Sequence, residues 1–144
     1  MKVIIQNVLS ASVVINNEVY NEIENGYMIL VGFGHDDNKM TVEKMVDKII
    51  KLRIIPDEND KMNLSIVDVK GSILSISQFT LYANTKKGNR PSFGDSMNPK
   101  DSLDLYDYFN QLLSEHVSVS TGIFGADMKV SLINNGPITI NLET

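Results

Sequence analysis

Two short stretches of the chain concentrate groups suited to acyl chemistry. Ser77-Gln78-Phe79-Thr80 falls at the predicted end of a strand, where hydroxyls and free backbone N–H groups meet solvent. Such N–H groups are the donors that stabilise the oxyanion of a carbonyl under attack. Along an extended strand, Ser77 and Phe79 would face one way and Gln78 and Thr80 the other. Strands also carry Ser and Thr on a solvated face with no chemical duty, so this stretch alone marks only a candidate. The second stretch is Asn134-Asn135-Gly136-Pro137-Ile138-Thr139. Asn-Gly between apolar runs reads as a hairpin turn. Pro137 fits that turn badly, because it has no N–H for the ladder and restricts Gly136. Were the Gly-Pro bond cis, as about 5–6% of such bonds are, the flanking carbonyls would form a rigid site for a cationic group.

The loop 84–98 carries Lys86, Lys87 and Arg90 against Asp95, a local net charge of +2. Solvated loop charges explain such a patch, and contact with RNA phosphates is the alternative, which would weaken with salt. Gly34-His35-Asp36-Asp37 reads as a turn between strand and helix rather than a metal site, because no further ligands accompany it. His116 suits the negative end of a helix dipole. The seven Met residues read as core filling. With no Cys and two His, thiol nucleophiles and multi-histidine metal centres are excluded. No Ser-His-Asp context and no phosphate-binding glycine loop is present. No metal and no cofactor is therefore expected, and hydrolysis here would rest on positioning and oxyanion stabilisation.

The elements that must hold these stretches follow from periodicity. Residues 3–8, 11–15 and 18–23 read as strands, the last two joined by a tight Asn16-Asn17 turn. Tyr27 to Phe33 is a nearly unbroken apolar run, as in a strand buried on both faces. Val42, Met45, Val46, Ile49 and Ile50 make one helical stripe, with Thr41 as the expected cap and Pro56 as the stop. A strand is predicted over 73–81. A second helix begins with Asn98 as N-cap, Pro99 and Asp101, and presents Tyr106, Phe109, Leu112 and Leu113. Strands over 128–133 and 138–142 close the chain. Many strands with two helices and hairpin-length gaps predict a mostly antiparallel α+β fold, one domain over residues 1–144.

The 144 residues are 42% hydrophobic and 22% charged, a globular balance, with a net charge of −5. That charge argues against a general nucleic-acid binder and leaves room for an RNA held by a local patch. DNA and membrane are not expected partners. No apolar run approaches the ~20 residues of a membrane helix, and MKVIIQNV lacks the features of a signal peptide, so a cytoplasmic protein is expected.

SQFTLYA (77–83), KKGNRPSF (86–93), TGIFGADM (121–128) and NNGPIT (134–139), with GHDD (34–37) and KMNLS (61–65), resemble the D-aminoacyl-tRNA deacylases over essentially the whole chain. The resemblance implies a barrel-like, layered fold with two main helices. It also implies a homodimer that hydrolyses the ester joining a D-amino acid to the 3′-terminal adenosine of tRNA, and mischarged glycyl-tRNA as well. In that family the Gly-Pro bond is cis and its loop enters the site of the other subunit. Carried over, Gly136 and Pro137, with Asn134, bind substrate and reject L-residues. Ser77, Gln78, Phe79 and Thr80 line the ester as the catalytic set, and Phe124 to Met128 lie near the adenosine. Members commonly carry Arg where this chain has Asn7 and Ile123, and Asp in place of Asn135. Asn7 thus removes an expected support of the Gly-Pro loop. Two other readings stand beside this one: a non-catalytic tRNA-binding module of the same fold, and a small-ester hydrolase using Thr80 as nucleophile.

Overall fold

A β-branched, apolar sequence without Gly or Pro gives the first strand unusual length. In the computed structural model, which describes residues 1–144, β1 (Lys2–Ile15) is one strand rather than the two segments expected. Its first half pairs antiparallel with β3 (Gly26–Gly32) and its second half with β2 (Glu18–Ile23). Asn16 and Asn17, at φ 52° and 65°, make the predicted turn between β1 and β2. Side chains of β1 alternate in and out except at two breaks: Asn7 and Val8 are both buried, and Leu9 and Ser10 both turn outward, where the register against the last strand shifts. Val3 and Ile5 thereby enter one core, and Val8, Ala11 and Val13 a second on the opposite side of the sheet.

Asn38, not Thr41, caps α1 (Lys39–Lys51): its side chain accepts from the N–H groups of Met40 and Thr41. Thr41 sits at the third position and returns a bond to the Asn38 N–H, closing a capping box. The helix ends at Lys51, so Pro56 is not its stop; Pro56 lies in β4 (Ile55–Pro56), which pairs with β5 (Met62–Leu64). A strand β6 (Ser72–Ser77) ends four residues short of the expected Leu81, because the chain turns there into a 3-10 turn at Phe79–Tyr82. In the second helix, α2 (Pro99–Ser114), Asn98 accepts from the Asp101 N–H, as predicted. A short β7 (Ser118–Thr121), absent from the sequence reading, follows it. The last strand, β8 (Lys129–Glu143), absorbs both predicted terminal strands.

Six strands form one mixed sheet in the order β2-β1-β3-β6-β7, with β8 on β1. Antiparallel pairs predominate, but β3–β6 and β6–β7 are parallel. Asn21 Nδ2 on β2 donates to the Thr121 carbonyl on β7 at 2.7 Å, curling the sheet toward a barrel. Both helices cover one face. Val42, Met45, Val46 and Ile49 of α1 and Leu105, Tyr106, Phe109 and Leu113 of α2 pack on Tyr27, Ile29 and Val31. Met28, Leu74 and Ile76 face the barrel interior. That two-sided burial explains the unbroken apolar run of β3.

Candidate active site

Parallel pairing brings the carboxyl ends of β3 and β6 to one level, Val31 opposite Ser77. The Gln78 N–H donates to the Val31 carbonyl at 2.7 Å as the last rung. Gly32 permits that approach, since a Cβ there would fall 2.7 Å from the Gln78 carbonyl oxygen. Above these strand ends opens a cavity of about 670 Å³. Ser77, Gln78 and Phe79 form one side, Phe93 and Ser96 to Pro99 a second, and Phe124 to Met128 a third.

Phe79 and Thr80 therefore do not continue the strand, and the predicted alternation of faces over 77–80 gives way to a tight turn. The turn's first internal bond is Leu81 N–H to the Gln78 carbonyl. The N–H groups of Phe79 and Thr80 precede it and take no partner within the turn. Phe79 is 57% exposed at the mouth, its ring edge-on to Phe93 at 5.0 Å. Thr80 lies outside the cavity lining, and its Oγ1 accepts from Gln78 Nε2. Gln78 is no base, so the hydroxyl has no group beside it to take its proton.

The turn is anchored from below by Tyr82 and Asp37, to which the sequence assigns no role in the site. Tyr82, its last residue, donates its hydroxyl to Asp37 Oδ2 at 3.2 Å, and the Gly34 N–H donates to the same oxygen at 2.7 Å. The Met1 amine reaches Asp37 Oδ1 at 2.6 Å. Burial, then the Asp37 carboxylate, push the Tyr82 hydroxyl pKa well above the ordinary tyrosine value. His35 Nε2 lies 2.6 Å from the Gly94 carbonyl, tying the 84–98 loop to the GHDD turn. That turn is structural, as expected, but its second Asp is the carboxylate on which Tyr82 rests. Phe124 packs on Tyr106 with ring centroids 5.9 Å apart, and Gly122 leaves room for the Met128 sulfur.

Asn134, Gly136 and Pro137 do not line this cavity. Instead of a hairpin they form an outgrowth within β8. Gln6 pairs with Thr139 and Val8 with Asn134, so the one residue Asn7 stands opposite the four residues 135–138. Asn135, Gly136 and Pro137 are exposed while Ile138 is buried. The Gly136–Pro137 bond is cis, and Gly136 has φ 137°. The Asn134 side chain closes the base of the outgrowth. Its Oδ1 accepts from the Ile138 N–H at 2.8 Å, and its Nδ2 lies within 3.3 Å of Gln6 Oε1, Thr139 Oγ1 and the Ile138 carbonyl. Asn7, 4% exposed, donates from Nδ2 to the Asn135 carbonyl at 3.2 Å, so support remains at this position without a charge. Val130 lines the cavity, and Asn134 lies about 13 Å further along the strand at ~3.3 Å per residue. One chain thus joins Ser77, Gln78, Phe79, Phe124 and Met128, and keeps Asn134, Gly136 and Pro137 apart from them.

Comparison with known proteins gives the family and the fold. The family model described as D-Tyr-tRNA(Tyr) deacylase matches residues 4–143. A solved structure titled "c-Myc DNA Unwinding Element Binding Protein" is 36% identical, with a TM-score of 0.95 over 100% of this chain and 99% of its own. Another, titled as a probable eukaryotic D-amino acid tRNA deacylase, is 17% identical, with a TM-score of 0.85 over 98% and 97% of the two chains. It shares the fold. On the match across 4–143, the chain belongs to the D-Tyr-tRNA(Tyr) deacylase family, whose members are hydrolases acting on D-aminoacyl-tRNA.

Proposed function

We propose that the protein works as a homodimer in which the 135–137 outgrowth of one subunit enters the cavity of the other and selects D-aminoacyl esters. The observation carrying this reading is the separation of the two halves: a cavity with no Gly-Pro wall, and an exposed, internally braced Gly-Pro outgrowth elsewhere on the same chain. Leu9 and Ile133, 47% and 58% exposed beside the outgrowth, supply apolar surface for a two-fold contact. The Gly136 and Pro137 carbonyls would hold the substrate's α-ammonium while the ester lies against Ser77 to Thr80. With both ends fixed, a D-residue turns hydrogen toward the carbonyls and its side chain outward. An L-residue drives its side chain into main chain, a clash rather than a lost contact. Glycine has hydrogen at both positions and is accepted.

The ester is attacked by water, assisted by the adenosine 2′-hydroxyl. Water oxygen bonds the carbonyl carbon, and the carbonyl oxygen takes negative charge toward the Phe79 and Thr80 N–H groups, each donor worth roughly 2.7–4 kcal/mol in such sites. Collapse breaks the bond to the ribose 3′-oxygen, which takes the proton released by the attacking water, relayed by the neighbouring 2′-hydroxyl; free D-amino acid and tRNA leave. Thr80, without a base, is not the nucleophile.

Binding of a DNA element, stated in the name of the 36% identical protein, belongs to that protein; the net charge of −5 disfavours it here. The test compares D-Tyr-tRNA, L-Tyr-tRNA and Gly-tRNA with one preparation, alongside its mass by sedimentation. D-Tyr-tRNA and Gly-tRNA should be hydrolysed by a dimer and L-Tyr-tRNA spared. Equal turnover of the D and L esters, or full selectivity by a monomer, would overturn the proposal.

A further inference from the structure

The charges of this chain are unevenly placed. No acidic residue occurs from Val69 to Gly94, a stretch holding Lys70, Lys86, Lys87 and Arg90. Outside it, nine Lys and Arg face all 18 acidic residues. Three of those nine reach a carboxylate, Lys2 to Glu143, Lys51 to Asp47 and Lys129 to Asp127, and Arg53 bonds the Asn63 amide; what sets the 69–94 stretch apart is that it has no acidic residue of its own. Lys86, Lys87 and Arg90 are exposed and have no carboxylate within salt-bridge distance. An acidic protein that keeps three adjacent cations free has a polyanion as their natural counterpart.

Their position gives the polyanion a direction. The loop is pinned at its base by two backbone bonds between Asn84 and Ser92, 2.8 and 3.0 Å. Beyond Ser92, Phe93 joins the cavity wall and meets Phe79 of the catalytic turn, and Gly94 is bound by His35. The cations thus stand on a loop whose other end is part of the cavity lip. Free cations beside exposed aromatic rings are the combination by which proteins follow single-stranded nucleic acid.

We propose that Lys86, Lys87 and Arg90 form the track for the phosphates of the tRNA 3′ strand as it leads its terminal adenosine into the cavity. This rests on the aminoacyl-tRNA reading of the site. The track binds phosphate by charge and carries no information on base sequence, so it serves many tRNAs alike.

The test uses the variant K86Q/K87Q/R90Q, with K44Q/K48Q/K51Q on α1 as a control of equal charge change. Two probes are compared: uncharged tRNA, for binding, and 3′-O-(D-tyrosyl)-adenosine, an ester without phosphates, for turnover. Each phosphate neutralised on a single strand contributes ~0.7 to the salt slope, so three cations contribute about 2. Between about 50 and about 200 mM salt, wild type should lose roughly 18-fold more tRNA affinity than the loop variant does. The helix control should match wild type. Turnover of the short ester should be unchanged in the loop variant, while the KM for D-Tyr-tRNA rises and kcat holds. An unchanged salt slope, or equal loss on both substrates, would overturn the proposal. Should wild type hydrolyse neither ester yet show the loop-dependent tRNA slope, the deacylase reading falls and the phosphate track stands.

Discussion

Replacing Asn134 with Ala tests how the exposed Gly136–Pro137 segment is held. The Ile138 N–H donates to Asn134 Oδ1 at 2.8 Å, and Ile138 is 6% exposed, so water has little access to that donor once the acceptor is gone. A buried N–H left unpaired costs about 1–3 kcal/mol. Loss of the Nδ2 bonds adds only slightly to this, because Gln6 and Thr139 are accessible enough to turn to solvent. The expected loss is about 2 kcal/mol, or roughly 4–8 °C in Tm for a chain of this size. Asn134→Asp keeps the acceptor for Ile138 N–H and should recover much of that stability, although its second oxygen faces the Ile138 carbonyl. Urea unfolding gives the stability, and D-Tyr-tRNA against L-Tyr-tRNA turnover gives the selectivity. Discrimination should fall in the Ala variant more than D-ester turnover does, because the outgrowth loosens while the cavity stays intact. An Ala variant within about 0.5 kcal/mol of wild type, with discrimination unchanged, would refute the reasoning.

Three further outcomes follow from the geometry. Thr80→Ala should retain most of the deacylase activity, read by single-turnover assay, and a trapped acyl-enzyme in wild type would contradict that. Tyr82→Phe removes the hydroxyl that rests on Asp37 and should lower kcat several-fold at nearly constant KM, since the turn carrying Phe79 and Thr80 loses its lower anchor; an unchanged kcat would argue against the anchor. Asp57 is held below the ordinary aspartate range by the Asn59 and Lys61 N–H groups, and Asp68 by the N–H and hydroxyl of Ser65. A depressed folded-state value means their contribution is complete above the unfolded value near ~3.9 and vanishes as pH falls through the folded one. Urea midpoints should therefore decline below about pH 4, and Asp68→Asn should flatten that decline.

Local chemistry made much of this fold legible. Asn98-Pro99 with Asp101 specified the start of α2, and Asn16-Asn17 the β1–β2 turn, because caps and tight turns depend on a few adjacent residues. The helical stripe of α1 was readable, but its cap was not. Asn38 and Thr41 both have side chains fit to cap, and only the backbone geometry assigns the reciprocal bonds. The strand predicted through Leu81 failed at Ser77 because Gln78 is drawn against Gly32, a contact between residues far apart in sequence. The parallel pairing of β3 with β6, which builds the cavity, left no trace in either strand's own pattern. Asn-Gly looked like a hairpin and proved to be an outgrowth within one strand. The deciding fact was the opposing ladder of β1, which continues past Asn7 on both sides. Asp37 and Tyr82 were missed for the same reason: a buried carboxylate is identified by its partners, 45 residues apart here.

Between Lys129 and Ile133, β8 keeps step with Val14 to Ser10 without interruption. That stretch ties the cavity wall at one end to the Gly-Pro segment at the other. Inserting or deleting a single residue there would turn every following side chain to the opposite face. Length changes are absorbed where the two strands already disagree, across from Asn7 and at the extra residue Leu9. The span that carries the projecting tip is therefore fixed in length as if it were a ruler, and it sets how far the tip stands from the cavity wall.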